Sequence, residues 1–181
     1  MSFFDDPCLD VLVSEEELQA KAKELGQQIS QEYAGKQLTV VGVLNGCFIF
    51  FADLVRHIDL PISIDFLGLS SYGSATKSSG VVQITKDLSG PIEGEHLLIV
   101  EDIIDTGLTM SYLLKNLKTR KPASIKVCSL LSKPARRIVE TQIDYLGFTI
   151  EDRFVVGYGL DFDSRYRNLP YIGVMHTELP G

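Results

Sequence analysis

A chain of 181 residues, 45% of them hydrophobic, has apolar side chains enough for one substantial core, so a single globular domain with a small appended lobe is expected. Its formal charge of −7 argues against a protein that draws its affinity from neutralising nucleic-acid phosphates. The apolar stretches Leu97 to Val100 and Cys47 to Phe51 fall far short of a bilayer span, and Met1 to Asp6 lacks a basic leader, so neither membrane nor export is expected.

Cys8, Cys47 and Cys128 are odd in number and show no CxxC spacing. They suggest neither a disulfide framework nor a zinc site, and a reducing cytoplasm fits them. His57, His96 and His176 stand in no ligand or triad spacing and receive no chemical role.

In chain order, Ser14 with Glu17 forms a capping box. Leu18, Ala22, Leu25 and Ile29 then recur at helical spacing, so an amphipathic helix is predicted. Leu38 to Leu44 is apolar on both faces, as a buried parallel strand is, and Phe48 to His57 reads as the following helix. Ile62 to Leu67 alternates like a strand, and Ser70 to Gly80, small and polar, reads as a mobile loop. Strands are predicted at Val81 to Thr85, Leu97 to Val100 and Ile125 to Leu131, with a helix from about Thr109 to Leu117. Short strands at Phe154 to Tyr158 and Tyr171 to Met175 complete the pattern. This alternation points to an α/β domain with a mainly parallel central sheet flanked by helices, whose ligands gather beyond the carboxyl ends of the strands.

The chemistry concentrates in Leu97 to Leu114. Glu101 and Asp102 stand where an apolar strand ends, and Asp105-Thr106-Gly107-Leu108-Thr109 where a helix begins. Gly107 permits close backbone approach, Thr106 and Thr109 offer hydroxyls, and the unpaired amides of a helix start favour an anion such as phosphate. Adjacent carboxylates suit the two hydroxyls of a ribose, or a magnesium ion. Read locally, the same residues also suit solvated strand-end acids with Asp105 or Thr109 as a helix cap. Asp105-Thr106-Gly107 is in addition the triplet of aspartic proteases, but one copy followed by a helical pattern among βα units argues against that chemistry.

Taken together, Glu101 to Gly107, Ser71-Tyr72, Ser129 to Lys133, and Phe154 to Asp161 followed by Arg167 resemble the hypoxanthine-guanine phosphoribosyltransferase family. The likeness spans most of the chain. It implies the type I phosphoribosyltransferase fold as a single domain over residues 1–181, with a small hood lobe from N-terminal residues and roughly 140–181. It also implies purine salvage: transfer of the 5-phosphoribosyl group from phosphoribosyl diphosphate to N9 of hypoxanthine or guanine, giving IMP or GMP and pyrophosphate. A regulatory nucleotide- and RNA-binding module on the same fold is the alternative, disfavoured by the acidic balance and by the presence of Lys133 and Phe154.

By this resemblance, Glu101 and Asp102 hold the ribose hydroxyls, and Asp105, Thr106, Gly107, Leu108 and Thr109 cradle the 5-phosphate. Leu44, Asn45, Gly46 and Arg167 face the pyrophosphate. Asp105 is the candidate proton acceptor. Lys133 donates to the purine 6-oxygen, Phe154 stacks on the base, and the backbone of Val155 bonds its edge. Glu101, Asp102 and Asp161 bind Mg2+, Asp161 lying also beside the purine, and Ser71 and Tyr72 belong to the mobile loop. A homodimer or homotetramer is implied, with the apolar helix from Phe48 to Leu54 as a contributor to its interface. The chain departs from the family at Asn45, where a basic residue is common, and at Leu108, where some relatives carry lysine. If the family's unusual cis peptide occurs here, it joins Leu44 to Asn45.

Overall fold

The computed structural model describes residues 8–71 and 82–176. Tyr72, with all but the first two residues of the expected mobile loop, lies outside them, as do the first seven residues and the last five.

The chain runs through β1 (Leu9–Val13), α1 (Glu15–Glu32), β2 (Leu38–Leu44), α2 (Phe48–Val55), β3 (Ile62–Ser71), β4 (Val82–Lys86) and β5 (His96–Ile104). It continues through α3 (Leu108–Lys118), β6 (Ser124–Ser132), a 3-10 turn at Pro134–Arg136, β7 (Tyr145–Thr149), β8 (Val155–Val156) and β9 (Ile172–Met175). Six strands form one sheet in the order β4-β3-β2-β5-β6-β7, parallel except for β4. The remaining three form an antiparallel sheet, β1-β9-β8.

Alternation along the strands explains the layering. On β2 and β5, Leu38, Val40, Leu98 and Val100 pack with Leu18, Leu25, Phe50 and Leu54 of α1 and α2. The intervening Val41, Val43, Leu97 and Ile99 pack with Met110, Leu113 and Leu117 of α3. A strand sealed on both faces needs apolar side chains on both, which is why these runs do not alternate in polarity. The predicted α1 face is buried at Leu18, Ala22, Leu25 and Ile29. Ser14 accepts the Glu17 amide at 3.2 Å while the Glu17 carboxylate accepts the Ser14 amide at 2.8 Å.

Several boundaries differ from the sequence reading. β5 does not end at Val100: Glu101 to Ile104 stay extended because they remain in register with β6, up to Ile104 opposite Ser132. β3 runs on through Ser70 and Ser71, since β4 pairs with it there. α2 stops at Val55, and its Phe50, Phe51 and Leu54 are buried in the chain's own core, which leaves Phe48 as its exposed aromatic. Two strands were not foreseen. β1 pairs with β9, and β7, within the segment expected to form the hood, extends the main sheet beside β6. Among the described residues, no helix is long and apolar enough to cross a membrane.

Candidate active site

The strand order creates the site. β2 leads to β3 on one side of the sheet and β5 leads to β6 on the other, so the loops leaving β2 and β5 diverge and open a crevice between their carboxyl ends. Pairing of β2 with β5 stops at Gly42 opposite Val100, whereas β6 accompanies β5 for four residues more. The acidic run therefore has a strand on one flank and the crevice on the other.

The loop Leu44-Asn45-Gly46 closes over that open flank, with a cis peptide joining Leu44 to Asn45. A Cβ placed on Gly46 would sit 1.7 Å from Asp102 Oδ2, so only glycine lets this backbone lie against the carboxylate. The Gly46 carbonyl in turn is packed against Gly159, where a Cβ would come within 2.0 Å of it. Two loops distant in sequence are thus stacked on Asp102.

Glu101 and Asp102 are held in low dielectric. Burial pushes Asp102 up to about 6, opposed by the Ile103 amide that donates to its Oδ1 at 2.9 Å. Burial first, and the neighbouring Asp102 second, put Glu101 well above the usual carboxylate range. Glu101 Oε2 is buried with no partner among the described residues. Such acids gain most from a cation or from hydroxyl donors brought by a ligand.

The next segment turns from β5 into α3. α3 starts from Gly107, in the left-handed region at φ +81°, rather than from Asp105 or Thr109; a side-chain cap is replaced by a glycine corner. No acidic residue occupies its first turn, and the first amides of a helix lack intrahelical acceptors. The Leu108 amide leans on Thr106 Oγ1 at 3.4 Å. Behind the loop, the Ile138 and Val139 amides donate to the Thr106 carbonyl at 2.9 and 3.0 Å, and a Cβ on Gly107 would strike the Val139 carbonyl at 2.1 Å. A cavity of about 90 Å³ lies inside, lined by Glu101, Asp105 to Gly107 and Thr109. A second, of about 200 Å³, adjoins it through Glu101 and Thr109 and reaches Leu44, Gly46 and Asp102. A third, of about 660 Å³, lies between Leu44-Asn45, Ser70, Asp161 and Arg167.

The residues that leave β5 and β6 meet by strand register. Since Ile104 pairs with Ser132, the residues that follow, Asp105 and Lys133, leave the sheet side by side, and the Lys133 amide donates to the Ile104 carbonyl at 3.1 Å. Lys133 is only 6% exposed, unusual for an ammonium, and Asp152 Oδ1 stands 3.9 Å from its Nζ. Phe154 is the opposite case, an aromatic 48% exposed, with the Phe162 ring set edge-on at 5.7 Å. Val155 is buried and paired with Val174 in the smaller sheet. Asp161 is fully engaged: its Oδ1 pairs with Arg167 Nη2 at 2.8 Å and its Oδ2 accepts the Ser164 amide at 2.9 Å. Arg167 Nη1 donates to the Gly159 carbonyl at 2.6 Å.

The structure adds residues that the sequence did not single out. Arg136 reaches Asp105, and Asp152 sits between Arg136 and Lys133. Thr85 and Lys86 line the third of these cavities from β4. Nothing local in the sequence tied Arg136 to Asp105. Among the described residues no three His, Cys, Asp or Glu side chains converge as a metal cage.

Residues 12–163 match the family model described as the phosphoribosyl transferase domain. The hypoxanthine-guanine phosphoribosyltransferase of Bacillus subtilis is 53% identical over 165 residues, covering 91% of this chain and 92% of that protein. The bifunctional protein TilS/HprT of Listeria monocytogenes is 52% identical over 169 residues, 93% of this chain, which spans about a quarter (26%) of that relative's length. A crystal structure of a hypoxanthine phosphoribosyltransferase from Staphylococcus aureus superposes with a TM-score of 0.89 at 47% identity, covering 92% of this chain and 91% of that one.

Proposed function

The chain belongs to the phosphoribosyltransferase family and, within it, to the hypoxanthine-guanine phosphoribosyltransferases, and from that premise we propose that it makes IMP or GMP for purine salvage in the cytoplasm. It does so by transferring the 5-phosphoribosyl group of phosphoribosyl diphosphate to N9 of hypoxanthine or guanine, releasing pyrophosphate. The observation that carries this reading is the neighbouring exit of Asp105 and Lys133 from β5 and β6, one acceptor and one buried donor at the same sheet edge.

A 6-oxopurine offers an acceptor at O6 and a proton at N7, which Lys133 and Asp105 complement. Adenine would turn its amino group toward the Lys133 ammonium, leaving donors face to face. Phe154, exposed where most aromatics are covered, supplies the stacking face, and the Val155 backbone reads the base edge. Glu101 and Asp102 accept the ribose hydroxyls, Asp105 to Thr109 hold the 5-phosphate, and Asn45, Gly46 and Arg167 face the pyrophosphate. Main-chain groups take the part that Asn45 and Leu108, lacking charge, do not.

In the reaction the N9 lone pair forms a bond to C1 of the ribose as the C1–O bond to pyrophosphate breaks and its electron pair leaves with that group. The N7 proton passes to Asp105. The family implies Mg2+, and the site fits it through its chemistry: buried acids, one with an orphaned oxygen, where magnesium needs only one or two carboxylates beside substrate oxygens and water. Glu101 and Asp102 would hold it, while Asp161 would join only by giving up Arg167 or Ser164. When bound, the ion neutralises charge on the leaving pyrophosphate. We read the β1-β9-β8 sheet as the hood beside the base, and a homodimer or homotetramer as the assembly.

A pyrophosphate-release assay with hypoxanthine, guanine, xanthine and adenine tests this reading. Hypoxanthine or guanine is expected to be used and adenine neglected by a factor of about 10⁴, and Lys133→Ala to narrow that ratio. Equal use of adenine by the unmodified protein would overturn the base assignment.

A further inference from the structure

We infer that Arg136 is a positioning residue for the transfer reaction, fixing the Asp105 carboxylate so that one of its oxygens is left free to take the purine proton. The inference rests on Asp105 as the proton acceptor. Arg136 ends the 3-10 turn that follows Lys133, and its Nη1 lies 3.3 Å from Asp105 Oδ2. The other oxygen, Oδ1, is buried with no partner among the described residues, and Asp105 lines the cavity of the anion loop. One carboxylate oxygen is thus tethered and the other held in reserve.

The tether extends further. The same Nη1 stands 3.8 Å from Asp152 Oδ1, which is 3.9 Å from Lys133 Nζ. Lys133, Asp152, Arg136 and Asp105 make a row of alternating charge, so the donor for O6 and the acceptor for the proton are aligned by one chain. Each link is long for a direct hydrogen bond, and Arg136 is 48% exposed, so the row adds little to stability. Its value lies in orientation. Asp105 lies between the last residue of β5 and the Gly107 cap of α3, outside both elements, where a side-chain partner can fix its carboxylate.

The test is a double-mutant cycle on kcat and KM. Arg136→Ala should lower kcat about tenfold, part of what a misaligned base forfeits, with KM for phosphoribosyl diphosphate held within about twofold. Arg136→Lys, which keeps a cation there, should recover a measurable part of the loss. In an Asp105→Asn background, Arg136→Ala should change kcat by less than about twofold, because the group it orients is gone. The thermal midpoint should not move. An equal factor in both backgrounds, an unchanged kcat in the single variant, or a fall in the thermal midpoint that accounts for the lost activity would each overturn the inference. Full turnover by Asp105→Asn alone would instead remove the proton acceptor on which it rests, and that is read before Arg136 is altered.

Discussion

Replacing Gly46 by alanine probes how closely substrate binding depends on the backbone lying against Asp102. The new Cβ would stand 1.7 Å from Asp102 Oδ2, half the ordinary contact distance of 3.4 Å, so something must yield. If the carboxylate swings away, it loses the Ile103 amide at 2.9 Å, a charged hydrogen bond of about 1.5–3 kcal/mol. If the loop retreats instead, its carbonyl presses on Gly159 and displaces the segment that carries Asp161 and Arg167. On the proposed assignment, both routes damage the phosphoribosyl side. The expected loss in kcat/KM for phosphoribosyl diphosphate is about 10- to 100-fold, the equivalent of that hydrogen bond. KM for the purine should stay within about threefold, since Lys133 and Phe154 stand on other elements. Steady-state kinetics with each substrate varied in turn measures both, and circular dichroism confirms the fold. A variant within twofold of the unmodified protein on phosphoribosyl diphosphate would refute the reasoning.

Gly159→Ala should be worse for stability, because the residue sits at φ +105° and its Cβ would meet the Gly46 carbonyl at 2.0 Å. A cost of about 1–3 kcal/mol, several degrees in a thermal scan, is expected; an unmoved midpoint would contradict it. Glu32 is held below the usual carboxylate range by the hydrogen bond from Lys126 first and the Tyr145 hydroxyl second. A depressed carboxylate stabilises the fold above its unfolded pKa, and the contribution is lost as pH falls through the folded value. Glu32→Gln should therefore cost stability at neutral pH, by less than about 1 kcal/mol given its exposure, and the two proteins should converge in acid. Denaturant titrations at several pH values would show a constant difference if the ion pair were irrelevant.

Local sequence was enough wherever one residue's neighbours in the chain are also its partners. The Ser14 and Glu17 capping box, the buried stripe of α1 and the two-sided apolar runs of β2 and β5 all carry their cause within a few residues. The acidic run was visible for the same reason, although its roles were open until Lys133, Phe154 and Arg167 were considered with it. β7 escaped notice because Gly147 interrupts its pattern. That glycine is there for a distant partner, since a Cβ would lie 2.4 Å from the Leu130 carbonyl. β1, with Val11 exposed between buried Leu9 and Val13, has no alternation to read and is a strand only because β9 pairs with it.

The sequence by itself determined the α/β class, the helix start at Ser14, the glycine-threonine loop that leads into a helix and the acids beside it. Those depend on propensity, periodicity and residue chemistry, which act over short separations. Only the tertiary structure decided that Glu101 and Asp102 lie within a strand, that Gly46 must be bare to admit Asp102, and that Arg136 meets Asp105. Each of these is fixed by strand order and register, where residues far apart in the chain are brought to one crevice and compete for the same few ångströms.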